Sequence, residues 1–212
     1  AVKKCKKAGM RPIMITGDYK DTAFAIAKKV GIAKHESQII SGEEIDLLSD
    51  EKFAKIVESK NVFARVNPTH KARIVEALKQ NGHNVAMTGD GVNDAPSLKK
   101  ADIGIGMGKI GTDVTKDVSD IIITDDNFAT IIVAVEEGRK IYSNIQKTIK
   151  YLFSANMAEI LALFFITILF PGITFLLPVQ ILFVNLITDS LPAIALGVEP
   201  AEKEVMLEKP RK

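Results

Sequence analysis

The sequence contains little of what marks secreted or nucleic-acid-binding proteins. Among its 212 residues there is one cysteine, Cys5, and the formal net charge is only +2. A single cysteine cannot close an internal disulfide, which argues against a disulfide-stapled secreted domain and favours a reducing, cytoplasmic environment. The near balance of charges argues against a nucleic-acid partner, because binding to phosphate backbones needs clustered positive charge. With 47% hydrophobic residues and only 8 prolines, the composition also excludes disorder as the main state.

Charged residues are almost absent from residues 151–198, where only Glu159 and Asp189 carry a formal charge. Residues 152–170 form an apolar run close to the length of about 20 residues that a bilayer-spanning helix needs, and residues 173–198 form a second run. Pro171 and Gly172 between the runs predict a turn. A buried hairpin in the core of a soluble protein is the alternative, but two long runs in tandem favour a transmembrane hairpin.

Basic residues flank the two outer ends of this predicted hairpin, whereas the connecting turn has none. By the positive-inside rule, the asymmetry predicts an integral membrane protein with the preceding domain and both chain ends on the cytoplasmic side. The flanking residues are Arg139, Lys140, Lys147 and Lys150 before the first span, and Lys203, Lys209, Arg211 and Lys212 after the second.

The first part of the chain alternates short apolar segments with segments of helical periodicity, which is the pattern of a parallel sheet covered by helices. We therefore predict an α/β domain over residues 1–126, a stalk helix over 127–150, the transmembrane hairpin over 151–198 and a cytoplasmic tail over 199–212. The predicted strands are residues 12–16, 38–40, 62–66, 84–88, 102–106 and 120–124. The predicted helices between them are residues 21–30, 49–59, 69–80, 93–100 and 112–118.

Two of the predicted strands end alike, one in Thr16, Gly17 and Asp18 and the other in TGDG at residues 88–91. Because ligands of open α/β sheets bind beyond the carboxyl ends of the strands, both clusters are expected at one crevice. Small residues there let backbone amides approach an anion, and an aspartate can hold a hard cation such as Mg²⁺. Taken singly, each triplet is also a common turn.

The longer run at residues 88–96, TGDGVNDAP, places Asp90, Asn93 and Asp94 around glycines immediately before a predicted helix. The backbone N–H groups at a helix start favour negative ligands. Helix capping explains one of these three polar side chains but not all of them. The run therefore predicts an anion or metal site.

A lysine and a histidine follow Pro68 at the start of another predicted helix. Lys71 could bring a point charge to a phosphoryl group, or it could be a solvated surface lysine. His70 has no partner at metal-ligand spacing and is expected on the surface of the helix start.

Polar side chains in the two apolar runs are spaced to share helix faces. Asn156 and Glu159 lie three residues apart on the first run, and Asn185, Thr188 and Asp189 lie within about one helical turn on the second. Ionisable groups are costly in a membrane and mark a pathway or a site, and hard cations such as Ca²⁺ prefer shells of oxygen ligands. The alternative is hydrogen bonding between the helices, which explains the carboxylates poorly.

A proline inside the second run adds a further oxygen. Pro192 has no N–H group, so the carbonyl four residues earlier, that of Thr188, is expected to be free. Exposed carbonyls at such a helix break hold ions at mid-membrane in transporters.

Several stretches resemble the phosphorylation domain of P-type cation-transporting ATPases, which has a haloacid-dehalogenase-like fold. They are TGD at residues 16–18, FARVNPTHK at 63–71 and TGDGVNDAPSLKKADIGIGM at 88–107, while DDNFATIIVAVEEGRKIYSNIQK at 125–147 resembles the family's link into the membrane. The resemblance implies Mg²⁺ and ATP as cofactors. Position by position, it implies that Asp90 coordinates Mg²⁺, Lys71 contacts the transferred phosphoryl group, Asn93 and Asp94 support that site, Thr16 and Gly17 contact phosphate, and Asp18 helps to arrange the nucleotide.

The membrane runs are similar to the calcium-pump type within this family. The residues that carry the similarity are NLITD at 185–189, followed after Ser190 by LPAIALG, together with Asn156 and Glu159 on the preceding run. The similarity implies transport of a cation driven by ATP, with Ca²⁺ as the first choice and Mn²⁺ behind it. It also implies membrane lipid and the other segments of a pump as partners.

The family's phosphorylated aspartate stands in an Asp-Lys-Thr-Gly-Thr run, and this sequence contains no such run. The family's nucleotide-binding domain, which binds most of the ATP, also has no counterpart here. The resemblance therefore implies a fragment of a pump that cannot form an aspartyl phosphate by itself. Two alternatives remain open: a membrane-anchored phosphatase of the haloacid-dehalogenase type, and a non-catalytic split-pump subunit that binds its partner through an open sheet edge.

Overall fold

The computed structural model describes residues 1–172, 174–202 and 204–210. Ile173, Lys203, Arg211 and Lys212 lie outside the described residues, so part of the predicted basic tail is not described. The chain divides into two compact units, residues 1–132 with 207–210 and residues 133–206. The α/β elements fill the first unit and the apolar helices fill the second.

Six short parallel strands form the first unit, and each of the six predicted strands is confirmed. They are β1 (Met14–Ile15), β2 (Ile39–Ser41), β3 (Val62–Ala64), β4 (Ala86–Gly89), β5 (Ile103–Met107) and β6 (Ile121–Ile123). All strand pairings are parallel, as predicted, and the strands form two sheets of three, ordered β1-β3-β2 and β4-β5-β6. Within the described residues β1 and β4 pair with one strand each, so both are edge strands.

Seven helices accompany these strands in the first unit, and short 3₁₀ turns extend some of them. They are α1 (Val2–Lys7), α2 (Lys20–Val30), α3 (Gly42–Asp46), α4 (Asp50–Ile56), α5 (Pro68–Gln80), α6 (Ala95–Lys100) and α7 (Asp113–Asp117). The predicted helices are confirmed with shifts of a few residues at their ends. The largest shift is at the end of α4, which stops at Ile56 because residues 57–59 form a 3₁₀ turn, and α6 likewise begins at Ala95 after a 3₁₀ turn at residues 92–94.

Helix α5 packs against both sheets. Ile74 on one side of α5 lies in a core cluster with Phe63 of β3, whereas Val75 lies in a second cluster with Met87 of β4. Ile15 of β1 packs against both of these clusters. Burial of these apolar side chains therefore holds the ends of β1 and β4 on one helix, although no backbone hydrogen bonds join the two strands.

The start of α5 is specified by its own residues. Asn67 Oδ1 accepts a hydrogen bond from the backbone N–H of His70 at 2.9 Å, and Pro68 occupies the first helical turn. An asparagine cap followed by proline is a strong helix start, since the cap satisfies an orphan N–H and the proline has none to satisfy.

The predicted stalk and first span are one helix, α8, which runs over 42 residues from Phe128 to Leu169. The second predicted span begins at Pro178 and has three parts: α9 (Pro178–Phe183), a π-helical segment (Val184–Asp189) and α10 (Ser190–Gly197). Both α8 and the segment Pro178–Gly197 are long and apolar enough to cross a membrane. In their most apolar stretches only 0% and 6% of the residues are buried, which contradicts the buried-hairpin alternative.

Within the second unit, side chains of α8 bind the chain that follows α10. Asn144, which is 2% exposed, donates from Nδ2 to the carbonyl of Glu199 at 2.8 Å. Lys147 forms ion pairs with Glu199 and Glu202 at 2.8 and 2.7 Å. Because Asn144 is buried and its amide is paired, it holds this end of α10 more firmly than the half-exposed ion pairs do.

Candidate functional site

Two predicted residues that lie 23 positions apart meet as an ion pair. Lys71 in the first turn of α5 places Nζ 2.5 Å from Oδ1 of Asp94. Asp94 is 6% exposed and the Lys71 side chain is 21% exposed. A charge-assisted hydrogen bond in such a shielded place is stronger than a surface pair. Lys71 is therefore held in place and is not the freely solvated surface lysine of the alternative.

The loop between β4 and α6 folds around the carboxylate of Asp94. Its Oδ2 faces the backbone N–H groups of Asp90 and Gly91 at 3.3 and 3.4 Å, and its own N–H donates to the carbonyl of Gly91 at 2.8 Å. A Cβ atom at Gly89 would lie only 2.5 Å from Cβ of Asp94. The glycine is thus required by the close approach of the aspartate and not by an unusual backbone angle.

Asp90 and Asn93 lie on the exposed side of the same loop. Among the described residues no group hydrogen-bonds to the carboxylate of Asp90, although its backbone N–H and carbonyl are both paired. The described residues also contain no cluster of three or more His, Cys, Asp or Glu side chains that could hold a metal. Mg²⁺ commonly uses one or two carboxylates together with phosphate oxygens and water, so a single free carboxylate fits it.

The turn after β1 is stabilised by hydrogen bonds between its own residues. Thr16 Oγ1 donates to Oδ2 of Asp18 at 2.9 Å and accepts from the N–H of Asp18 at 3.1 Å. Gly17 is exposed, and a Cβ atom there would meet nothing within 4 Å. The backbone at Gly17 is therefore open to an anion, whereas the Thr16 hydroxyl is already engaged by Asp18.

Sequence reasoning missed the residue that stacks beside this turn. Arg65 donates its backbone N–H to the carbonyl of Asp18 at 2.9 Å, and its guanidinium lies 4.5 Å from the centre of the Tyr19 ring. Its φ of 48° is in the left-handed region, which is uncommon for a residue other than glycine. The ARV stretch before Asn67 gave no periodicity or spacing from which this conformation could be read.

The expected surface position of His70 is wrong. His70 is 6% exposed, with Nε2 at 2.7 Å from Oδ1 of Asp46 and Nδ1 at 3.2 Å from the backbone nitrogen of Asn67. Since Nδ1 accepts from Asn67, Nε2 carries the proton and donates to Asp46. His70 thus stabilises the start of α5, directly before Lys71.

The predicted cation ligands divide into two groups in the second unit. Oε1 of Glu159 and Oδ1 of Asn185 are buried with no hydrogen-bond partner among the described residues, and Asp189 is 7% exposed. Asn156 and Thr188 are exposed, and Asn156 donates from Nδ2 to the carbonyl of Leu152 in its own helix at 2.8 Å. The structure therefore does not bring all five predicted oxygen-bearing side chains together. Buried polar oxygens without partners are costly, so the unpaired pair fits a cation better than it fits a packed core.

The carbonyl of Thr188 shows what the proline does to the second span. A π-helical segment ends at Asp189, just before Pro192, and the hydroxyl of Tyr151 donates to the Thr188 carbonyl at a long 3.4 Å. This contact agrees with the expectation that Pro192 leaves the carbonyl of Thr188 without its helical hydrogen bond. Short π-helical segments within α-helices are frequently found at functional sites.

Comparison with protein families gives two matches along the chain. Residues 1–102 match the family of haloacid dehalogenase-like hydrolases. Residues 173–212 match the C-terminus of cation transporting ATPases. The parallel α/β unit and the two apolar helices agree with these matches: the chain is similar to haloacid dehalogenase-like hydrolases over residues 1–102 and to the C-terminus of cation transporting ATPases over residues 173–212.

Two individual relatives of the chain are named as calcium ATPases. The chain is 56% identical over 211 residues to "Calcium-transporting ATPase 1" of Bacillus cereus, and 50% identical over 216 residues to "Endoplasmic reticulum calcium ATPase srcA" of Aspergillus fumigatus. The resemblance to calcium-pump-like P-type ATPases is thereby confirmed over the whole chain. The chain spans 24% and 22% of the length of these two relatives. Among solved structures, the catalytic domain of the CPx-ATPase CopB-B matches 63% of this chain and 42% of its own, at 31% identity and a TM-score of 0.47.

Proposed function

We propose that this chain supplies the Mg²⁺ and phosphate site and part of the membrane cation site of an ATP-driven pump for Ca²⁺. The observation that carries the proposal is the Lys71–Asp94 pair beside the free carboxylate of Asp90, in a chain that also buries unpaired oxygens of Glu159 and Asn185 in apolar helices. Sequence identity of 50–56% to calcium-transporting ATPases supports the same assignment.

In the soluble unit, catalysis rests on positioning and on neutralising charge, as phosphoryl transfer requires. Asp90 would hold Mg²⁺, which would supply positive charge to neutralise the phosphate oxygens. Lys71 presents its ammonium group to the transferred phosphoryl group, and Asp94 holds that ammonium group in place. Asn93 supports the loop. Thr16 and Gly17 face phosphate, and Asp18, bonded to the Thr16 hydroxyl, arranges the nucleotide.

The phosphorylated aspartate comes from sequence outside this chain. No Asp-Lys-Thr-Gly-Thr run occurs in the 212 residues, and the chain corresponds to about a quarter of the length of its relatives. The edge strands β1 and β4 each leave one side unpaired within the described residues, which favours a partner strand. ATP is bound mainly by that other part of the pump, so the chain alone does not hydrolyse ATP.

In the membrane unit, Glu159, Asn185 and Asp189 are the first ligands of the transported cation. Their carboxylate and amide oxygens suit a hard ion, and Ca²⁺ takes 6 to 8 oxygens, more than these residues provide. Asn156 and Thr188 complete the shell after their side chains turn from the exposed positions seen here, together with oxygens from other helices of the pump. Mn²⁺ is the second candidate cation, since it also accepts oxygen ligands.

The orientation follows from the charges that flank the apolar helices. Arg139, Lys140 and Lys150 precede the apolar part of α8, so the α/β unit and both chain ends face the cytoplasm and lipid surrounds the exposed apolar side chains. Of the two alternatives, the open edges of β1 and β4 favour the split-pump subunit, because an unpaired parallel strand needs a partner. Nothing in the described residues favours the membrane-anchored phosphatase, which needs a nucleophilic aspartate on a strand upstream of those seen here.

Phosphorylation in membranes tests the proposal. Membranes that carry the full-length protein are incubated with radiolabelled ATP and Mg²⁺, with Ca²⁺ or with a Ca²⁺ chelator. We expect acid-stable labelling only with Ca²⁺, a smaller effect with Mn²⁺, and no labelling of the isolated 212-residue chain. Labelling of the isolated chain refutes the proposal that the phosphorylated aspartate lies outside it. Ca²⁺-independent labelling of the full-length protein refutes the proposal that Ca²⁺ is the transported cation.

A further inference from the structure

A loop after β5, residues 108–112, is held at three points by hydrogen bonds of its own backbone. Gly108 donates its N–H to the carbonyl of Ile123 at 2.8 Å, next to the end of β6. At its far end, Thr112 donates its N–H to the carbonyl of Asp90 at 3.0 Å. The 108–112 loop therefore connects the end of β6 with the residue proposed to hold Mg²⁺.

The middle of the loop is bound by one carboxylate. Oδ1 of Asp126 accepts from the N–H of Lys109 at 3.0 Å, and Oδ2 accepts from the N–H of Ile110 at 2.8 Å. Burial acts to raise the pKa of Asp126, but hydrogen bonds from the backbone N–H groups of Lys109, Ile110 and Gly108 outweigh it and hold the pKa below its usual range. Asp126 is thus an ionised clamp that binds two successive backbone amides.

The backbone at Asp126 is shaped for this contact. Its φ of 53° lies in the left-handed region, which aspartate and asparagine enter more readily than other side chains. The loop itself is tightly built, because a Cβ atom at Gly111 would lie 2.0 Å from the carbonyl oxygen of Met107. Substitution of Asp126 by glycine or asparagine should therefore keep the backbone while changing the clamp.

The preceding residue faces the helix instead of the loop. Asp125 accepts from the N–H of Asn127 at 3.1 Å and from the hydroxyl of Thr130 at 2.6 Å, both at the start of α8. Asp125 and Asp126 are thus adjacent carboxylates with separate tasks. Asp125 binds Asn127 and Thr130 at the start of α8, whereas Asp126 binds the loop that reaches Asp90. Substitution of Asp125 therefore provides a matched control for substitution of Asp126.

We propose that Asp126 is a positioning residue for the Mg²⁺ site: by clamping Lys109 and Ile110, it holds Thr112 against the carbonyl of Asp90. This inference rests on the proposed function of Asp90 and deepens it. When the clamp is lost, the loop gains freedom, and Asp90 must be ordered at the moment when Mg²⁺ binds. A weaker Mg²⁺ affinity follows, with the ligand itself unchanged.

The size of the effect can be bounded. Groups that bond directly to a metal ligand change metal affinity by about 10- to 100-fold when they are removed. Asp126 acts through the backbone of a loop, so we expect roughly a three- to tenfold higher Mg²⁺ requirement for Asp126→Gly, and an intermediate change for Asp126→Asn. Asp125→Ala, which removes the contacts to Asn127 and Thr130 and leaves the loop contacts, should leave the Mg²⁺ requirement at the wild-type value.

Backbone hydrogen exchange of the full-length protein, followed by mass spectrometry during a Mg²⁺ titration, tests this without relying on turnover. Two quantities are read: the exchange rate of residues 108–112 without Mg²⁺, and the Mg²⁺ concentration that half-protects residues 89–94. In Asp126→Gly both should rise, and in Asp125→Ala neither should rise. Equal half-protecting concentrations in the wild type and Asp126→Gly, with faster exchange of the loop in the variant, overturn the proposal and reduce Asp126 to a structural contact. Absence of any Mg²⁺ protection in the wild type refutes the Mg²⁺ site at Asp90 itself, and the positioning role with it.

Discussion

Lys71 and Asp94 form the shortest link between the two halves of the candidate phosphoryl site, with Nζ 2.5 Å from Oδ1. Lys71 stands at the start of α5, beyond β3, whereas Asp94 ends the loop after β4. The two residues therefore follow strands of different sheets. This ion pair, together with the packing of α5 against both sheets, brings the ends of β3 and β4 close to each other.

Replacing Lys71 by alanine should leave the carboxylate of Asp94 shielded and without its counter-ion. We expect a loss of stability of about 1–3 kcal/mol, since an unsatisfied buried acceptor costs that much, and a loss of phosphorylation from ATP. Lys71→Arg keeps the charge but not the compact ammonium group, so it should restore most of the stability and little of the activity. Thermal unfolding and acid-stable labelling of the full-length protein measure the two effects. Normal labelling of Lys71→Ala contradicts the assigned role.

Two glycines in the loop after β4 differ in the space around them. A Cβ atom at Gly89 would meet Asp94 at 2.5 Å, whereas at Gly91 the nearest atoms are 4.0 Å away. We expect Gly89→Ala to displace Asp94, to cost roughly 1–3 kcal/mol of stability and to reduce phosphorylation. Gly91→Ala should be close to neutral in both assays. Equal behaviour of the two variants in thermal unfolding would show that the loop relaxes around the added methyl group.

Asp102 joins β4, β5 and α5 through one carboxylate, and this predicts a dependence of stability on pH. Its pKa is lowered by a hydrogen bond from the N–H of Val85 at 2.8 Å and by Lys79 at 2.9 Å. A carboxyl group with a lowered pKa stabilises the folded state above its ordinary pKa of about 3.9, and this contribution is lost as the pH falls through the lower, folded value.

The wild type should therefore unfold at a higher temperature than Asp102→Asn at pH 7, and the difference should shrink as the pH falls below about 4. Asp117→Asn serves as the control, because Asp117 is exposed and contacts no described partner through its carboxylate. A difference between wild type and Asp102→Asn that stays constant down to pH 2 would argue against this charge as its source.

Asp189 is buried in the second unit and lies one helical turn from the unpaired oxygen of Asn185. Asp189→Asn keeps the shape and removes the charge, so we expect Ca²⁺-dependent phosphorylation by ATP to be abolished, because a neutral amide binds a hard cation less well than a carboxylate. Thr167→Val is a matched control, since the Thr167 hydroxyl bonds only to the Leu163 carbonyl of its own helix at 2.7 Å. Unchanged labelling of Asp189→Asn, measured as a function of free Ca²⁺, would remove it from the ligand set.

The amino-acid sequence by itself determined the order of elements and the residue types of the candidate site. Apolar periodicity of 2 and 3.6 residues is local, so six strands and their helices could be predicted, and the near absence of charge over 151–198 predicted the apolar helices. The resemblance at residues 63–71 and 88–107 singled out Lys71, Asp90 and Asp94 because motif residues are contiguous in the chain.

Tertiary structure alone decided which of these residues meet and which are buried. The split into two sheets, the pairing of Lys71 with Asp94 and the burial of His70 against Asp46 depend on contacts between residues 16 or more positions apart, which no local pattern encodes. The clamp of Asp126 on the 108–112 loop likewise needs a left-handed backbone at one residue. In the second unit, the described residues leave oxygens of Glu159 and Asn185 buried without a partner and Thr188 exposed, because helix geometry and packing set the direction of each side chain and spacing alone does not.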